Sequence, residues 1–144
     1  MTHEDELCVT SRLTNLARIA EYVAERAARA GLSEEETFAV QMAVDEACTN
    51  SIEHGYQGAE NGEVRVCCYT EDDDFVVRIT DFGRAFDPSS VPEPDLSGPL
   101  EERQIGGLGL FFMRKLMDSV EFFCNVGGCN QIVMRKRIRI AKKS

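Results

Sequence analysis

The chain has 144 residues, of which 43% are hydrophobic and 28% charged, and this composition is typical of one soluble globular domain. No apolar stretch reaches the roughly 18 residues that span a bilayer, and the N-terminus lacks the basic and apolar regions of a secretory signal, so we expect a cytoplasmic protein without membrane contact. The net charge of −9 argues against direct nucleic-acid binding, because phosphate backbones attract basic surfaces.

The first part of the chain predicts a short strand followed by two helices. Residues 6 to 10 suit a strand, and residues 11 to about 30 suit an amphipathic helix with Ser11 as its N-cap. The glycine at position 31 ends this helix. A capping-box pattern, "SEEE", opens a second helix, which runs from residue 33 to about residue 54.

The second part of the chain predicts two hairpins separated by a long loop and a helix. Residues 63–70 and 75–80 are rich in β-branched residues and flank an acidic turn, which is typical of a hairpin. Residues 88–105 contain all four prolines and predict an irregular segment, either a functional lid or a linker. Three glycines then open an amphipathic helix over residues 106–118, and residues 119–137 predict two strands around a Gly-Gly turn.

The order of these elements is β-α-α-β-β-loop-α-β-β. The helices are grouped, and the strands pair with their neighbours in sequence. This order predicts a two-layer α/β sandwich with a mixed or antiparallel sheet.

The second helix carries polar residues where an apolar pattern would be expected. In "VDEACTNSIEHGY", residues 44–56, Glu46 and Asn50 are four residues apart and share a face, and His54 extends that row. One interpretation is a solvated stripe at the end of an amphipathic helix. The other is a site in which a carboxylate acts as a base and an amide oxygen binds a hard cation such as Mg²⁺.

Two further segments have the chemistry of a nucleotide site. In "TDFGRAFDP", residues 80–88, Asp81 follows a strand and can accept a hydrogen bond from an exocyclic amine, although an ordinary Asp-x-Gly turn is the simpler interpretation. In "GGLGL", residues 106–110, glycines stand just before a helix, whose exposed amides can bind phosphate. Glycines at such places often only make turns.

Together, Glu-x-x-x-Asn on a helix, Asp-x-Gly after a strand and Gly-x-Gly-Leu at a helix start resemble the GHKL ATPases, which include gyrase B and histidine kinases. "VDEACTNSIEHGY", "DFGRAFDP" and "GGLGLFFMRKLMDSVEF" are most similar to its bacterial anti-sigma-factor serine kinase branch, over about residues 8–137. The resemblance implies a mixed sheet covered on one face by helices. It also implies a single ATP-binding kinase domain, residues 1–144, with an ATP lid at residues 88–105.

The resemblance also implies a role for each matching residue. Glu46 would be the general base, and Asn50 would coordinate Mg²⁺ between the phosphates. Asp81 would bind the adenine amino group, while Gly83 would let the base approach the backbone. The remaining nucleotide-binding positions would be His54, Gly107, Leu108 and Gly109. For His54, a structural place in the core is the alternative.

The implied function is an ATP-dependent serine/threonine protein kinase that acts as an anti-sigma factor. It would use ATP and Mg²⁺ to phosphorylate a small anti-sigma-factor antagonist, and it would sequester a sigma factor. The alternative is a nucleotide-dependent partner-switching module without kinase chemistry, and the intact Glu46 favours the kinase. Dimers are frequent in this branch, so the resemblance leaves the choice between a monomer and a homodimer open.

The chain departs from the pattern of the superfamily at two positions. Ala85 stands where a second glycine often follows Asp-x-Gly, and this leaves the shape of the adenine pocket undetermined. Asn130 follows the Gly-Gly turn where a threonine is more usual. The six cysteines form no CxxC pair, so we interpret them as reduced and structural, without a metal.

Overall fold

The computed structural model describes residues 6–84 and 105–138. Five strands are present in these residues: β1 (Glu6–Thr10), β2 (Glu63–Glu71), β3 (Asp74–Asp81), β4 (Ser119–Val126) and β5 (Cys129–Arg137). The α-helices in the same residues are α1 (Leu16–Ala30), α2 (Glu34–Asn50) and α3 (Ile105–Leu116). The predicted order of strands and helices is confirmed.

The strands form one sheet in the order β1-β2-β3-β5-β4. Each neighbouring pair is antiparallel, so the antiparallel alternative expected from the element order is confirmed in the described residues. The mixed sheet that the resemblance implied is not observed there. The antiparallel arrangement follows from the connections. The pairs β2–β3 and β4–β5 are tight hairpins, and the two hairpins join where β3 pairs antiparallel with β5. The second hairpin turns at Gly127 and Gly128, whose φ angles of 62° and 84° are those that a two-residue hairpin turn needs.

The helices cover one face of this sheet and confirm the two-layer α/β sandwich. Alternate strand residues face the helices, as the two-residue repeat of a strand requires. On the sheet side the buried residues include Val64, Val66, Val77, Ile79 and Met134. On the helix side they include Ile19, Val23, Val40, Val44 and Met113. In the described residues no helix is long and apolar enough to cross a membrane.

Five cysteines have described side chains, and none of these five forms a disulfide. Cys8, Cys48, Cys67, Cys68 and Cys129 are free thiols, and three of them are buried. Burial raises the pKa of Cys68 to about 12, so this thiol stays protonated and packs as a small apolar group.

The start of α1 differs from the prediction. Ser11 does not cap the helix, because its buried hydroxyl donates to the carbonyl of Ala59 and accepts from the Gly62 amide at 2.9 Å. A short 3₁₀ turn, Leu13–Asn15, instead leads into the helix. A long-range contact to the segment before β2 has replaced the local cap.

Helix α2 begins as predicted but ends differently. The Glu36 amide donates to the Ser33 hydroxyl, and the Ser33 amide donates to the Glu36 carboxylate, so the capping box is confirmed. The regular helix stops at Asn50, and Ser51–Gly55 form a π turn, in which the Tyr56 amide bonds the Ser51 carbonyl at 3.0 Å. Such wider turns frequently lie at functional sites.

Helix α3 begins at Ile105, one residue earlier than predicted. The glycines at 106, 107 and 109 therefore lie inside its first turns, not before it. Glycine lowers helix stability by roughly 1 kcal/mol relative to alanine. Three glycines in the first turns of a helix therefore need a reason other than helix stability. For Gly109 that reason is a close contact in the site described below.

Candidate nucleotide and phosphoryl-transfer site

Asp81, the last residue of β3, has a carboxylate held by three donors. It is buried, with 7% of its surface exposed. The Ser51 hydroxyl donates to its Oδ2 at 2.7 Å, while the Gly83 amide and the Asn130 side-chain amide donate to its Oδ1 at 2.9 and 3.0 Å. Oδ1 thus accepts two hydrogen bonds from these groups and Oδ2 accepts one. The remaining acceptor position of Oδ2 suits an exocyclic amine.

This carboxylate lies in a cavity that joins two of the sequence motifs. The cavity is lined by polar residues of α2, β3 and β5 and by apolar side chains of β4 and β5. They include Asn50, Gly55, Asp81, Phe122, Asn130 and Ile132. Apolar side chains with a few fixed polar groups are typical of small-molecule sites. The prediction that Asn50 and Asp81 belong to one site is consistent with this geometry.

Gly83 is required by a contact between two backbone segments. A Cβ atom on Gly83 would lie 2.5 Å from the carbonyl oxygen of Gly55 in the π turn. The Arg84 amide also donates to that carbonyl at 2.7 Å. The Asp-x-Gly segment thus packs directly on the π turn that follows α2. The expected approach of a nucleobase to Gly83 remains a prediction.

Asn130 is a site residue whose role the sequence did not reveal. It lies directly opposite Asp81 in the β3–β5 pair and is 9% exposed. Its side-chain amide donates both to Asp81 and to the carbonyl of Gly83, each at 3.0 Å. It therefore ties the carboxylate to the turn that follows it. The sequence marked this position only as a departure from the superfamily pattern, with asparagine where a threonine is more usual.

We expect Asn130→Ala to weaken ATP binding about tenfold, which corresponds to about 1.4 kcal/mol. The change removes one donor to Asp81 and the tie to Gly83, so the carboxylate loses its fixed orientation. Isothermal titration with ATP measures the effect. Asn130→Thr keeps one hydroxyl donor and should give an intermediate affinity. Parental affinity in Asn130→Ala would show that Asp81 holds its orientation without Asn130.

Glu46 lies one helical turn before Asn50 and is half-buried. Its carboxylate contacts Gly109 of α3 so closely that a Cβ atom there would collide with Oε2. Gly109 therefore allows the start of α3 to approach the carboxylate. Burial, followed by the negative charges of Asp45 and Glu53, raises the pKa of Glu46 above its usual range. A raised pKa makes the carboxylate a stronger proton acceptor.

The other predicted positions are placed less centrally. His54 is exposed on the π turn, so a structural place in the core is wrong, and nucleotide contact stays a prediction. Gly107 and Leu108 lie in the first turn of α3. Ala85 and residues 88–104 of the expected lid lie outside the described residues.

Magnesium fits the donors at this site. Within residues 6–84 and 105–138, no group of three or more His, Cys, Asp or Glu side chains could hold a metal ion by itself. The side chain of Asn50 lines the cavity and offers a single amide oxygen. Mg²⁺ commonly uses one or two protein ligands and completes its shell with phosphate oxygens and water.

Comparison with protein families matches the model of the histidine kinase-like ATPase domain to residues 9–136. The serine-protein kinase RsbW of Listeria monocytogenes serovar 1/2a is 38% identical over 116 residues, which cover 78% of this chain and 73% of the relative. The serine-protein kinase RsbW of Bacillus subtilis is 36% identical over 99 residues, covering 65% of this chain and 61% of that protein.

Solved structures share the fold at low sequence identity. The RsbU and RsbW domains of a Mycobacterium tuberculosis protein superpose with a TM-score of 0.67 at 15% identity, covering 98% of this chain and 35% of that one. The histidine kinase domain of a blue-light activated kinase from Erythrobacter litoralis gives a TM-score of 0.54 at 17% identity, over 88% of this chain and 60% of that one. These likenesses support the fold.

Proposed function

Because this chain belongs to the histidine kinase-like ATPase family, and its relatives include serine-protein kinases, we propose that it is an ATP-dependent serine/threonine protein kinase. In this proposal it acts as an anti-sigma factor in transcription regulation. It phosphorylates a small anti-sigma-factor antagonist and sequesters a sigma factor, exchanging one partner for the other. We propose that it does so in the cytoplasm. We also propose that it forms a homodimer, which sedimentation can test.

The observation that carries this proposal is the arrangement along one face of α2. Asn50 lines the cavity that contains Asp81, and Glu46 lies one turn away against Gly109. A nucleotide whose amine bonds Asp81 would extend its phosphates past Asn50 toward the start of α3. A base would then stand at the end of the phosphate chain, where a phosphoryl acceptor has to arrive.

These side chains need to do little covalent chemistry, because phosphoryl transfer depends mainly on positioning the reactants and on neutralising the phosphate charge. Glu46 orients the serine or threonine hydroxyl and accepts its proton while the hydroxyl oxygen attacks the γ-phosphorus and ADP leaves. Mg²⁺, when bound, would neutralise phosphate charge. Asn50 would hold it together with phosphate oxygens and water.

A pull-down from the native cell extract, with ATP in one arm and ADP in the other, tests the function. Mass spectrometry of partners and phosphosites should find a small protein phosphorylated on serine or threonine with ATP, and a sigma factor among the retained proteins. The alternative is a switching module without chemistry. Binding of ATP and both partners without any phosphate transfer would establish that alternative.

We also propose that residues 88–105 act as an ATP lid, which rests on their proline-rich sequence between two nucleotide-binding motifs. Limited proteolysis should cut this segment more slowly when ATP and Mg²⁺ are present. Asp81→Ala should show no such protection, since it loses the acceptor for the adenine amine. Equal cleavage of the parent with and without nucleotide would contradict a lid.

A further inference from the structure

A groove on the outer side of the helical layer leads to the carboxylate of Glu46. It has a volume of about 360 Å³ and lies between α2 and α3, with α1 at its far side. Its apolar lining includes Phe38 and Met42 of α2 together with Phe112 and Leu116 of α3. The groove is thus lined mainly by apolar side chains together with Gln41, and Asp45 and Glu46 make it acidic where the proposed base stands.

The aromatic and methionine side chains of this groove are unusually exposed. Phe38, Phe112 and Met42 are 61%, 48% and 46% exposed. Six large hydrophobic residues are exposed in the described part of the chain, and these three line the same groove. Contiguous exposed apolar surface of this kind marks a binding site more often than a free surface.

The groove and the nucleotide cavity are linked through α2. Glu46 lines the groove, and Asn50, one turn or about 5.4 Å further along the helix, lines the cavity with Asp81. Phosphates lying between these two side chains would have the adenine cavity behind them and the groove in front. A hydroxyl that reaches Glu46 is therefore best delivered through the groove.

We propose that this groove receives the segment of the protein substrate that carries the phosphorylated serine or threonine, with a large apolar side chain beside it packed against Phe38, Met42 and Phe112. The inference rests on the proposed kinase function and names the docking site for its substrate. The carboxylates of Asp45 and Glu46 at the end of the groove favour a segment that is neutral or basic at that point.

The test uses two single variants, Phe38→Ala and Phe112→Ala, and the phosphorylated partner identified by the pull-down. Both side chains are exposed, so their truncation leaves the core intact. Each variant should raise the KM for the protein substrate about tenfold, with kcat and ATP affinity unchanged, as truncation of an aromatic anchor does. Phe123→Ala, which removes an equally large side chain that is 41% exposed on β4, is the matched control and should keep the parental KM.

A photo-crosslinking amino acid at position 112 gives a second, independent measurement. In the presence of ATP it should crosslink to the peptide that contains the phosphosite. A crosslink only to another region of the partner, or a parental KM in both variants, would overturn the groove assignment while the kinase function stands. A parent protein that transfers no phosphate would overturn the kinase function itself, and with it this inference.

Other occupants of the groove would give distinct results. Loss of sigma-factor affinity in both variants without a change in KM would assign the groove to the sigma factor. A change from dimer to monomer in sedimentation, again with the parental KM, would assign it to a second copy of the chain. Either result would contradict the proposal.

Discussion

Glu46→Gln is expected to bind ATP as the parent does while its phosphoryl transfer falls by a factor on the order of 10² to 10⁴, the usual contribution of a positioned base. Glutamine keeps the size of the side chain and its place against Gly109, but it cannot accept a proton. The assay follows transfer of labelled γ-phosphate to the antagonist beside an ATP titration. Transfer at the parental rate would show that Glu46 is not the base.

Two comparisons make this result specific. Glu35→Gln removes another carboxylate of α2, from an exposed position in its first turn, and it should transfer phosphate at close to the parental rate. Asn50→Ala should weaken both ATP binding and turnover, because it removes the proposed Mg²⁺ ligand. The ATP affinity thus distinguishes the two roles. A lower affinity identifies the cation ligand, and an unchanged affinity with slower transfer identifies the base.

Gly83→Ala is expected to weaken ATP binding by tenfold or more and to lower the melting temperature. Its Cβ atom would lie 2.5 Å from the carbonyl oxygen of Gly55, so one of two backbone segments has to move. Overpacking of this kind costs about 1–3 kcal/mol of stability. The movement also displaces the Gly83 amide from Asp81, which disturbs the proposed acceptor for the adenine amine. Thermal melting and ATP titration measure the two effects.

Gly58→Ala serves as the control for this experiment. Gly58 has a φ of 85°, and no atom lies within 4 Å of a Cβ atom built on it. Alanine there is strained by roughly 1–2 kcal/mol in the left-handed conformation, away from the cavity. Its melting temperature should fall while its ATP affinity stays parental. If Gly83→Ala also keeps the parental affinity, the contact with Gly55 is no part of the binding site.

The sequence predicted the features that depend on neighbouring residues. The capping box at Ser33, the helix stop at Gly31 and the Gly-Gly hairpin turn all involve contacts within a few positions. The spacing of Glu46 and Asn50 likewise depends only on a regular helix. These local patterns were sufficient to order the elements and to find three motifs of the site.

Features that depend on distant contacts or on irregular backbone were not predicted. Ser11 suits a helix cap, yet its hydroxyl bonds to residues about 50 positions away. Asn130 meets Asp81 only because β5 pairs with β3 in one register. His54 was expected to continue the row of Glu46 and Asn50. The π turn has a wider repeat than an α-helix, which shifts this row and leaves His54 exposed.

The position of β3 in the sheet has a consequence for how the molecule opens. Among the described strands, β3 is central and paired on both sides, whereas β4 lies at an edge with one partner. Local opening costs least at edges and most at the centre of a sheet. We therefore expect Asp81 and Asn130, which pair across β3 and β5, to stay in place until the domain unfolds. Helix α3 holds Met113 in the same core, so the phosphate end of the site should open together with the adenine end and not before it.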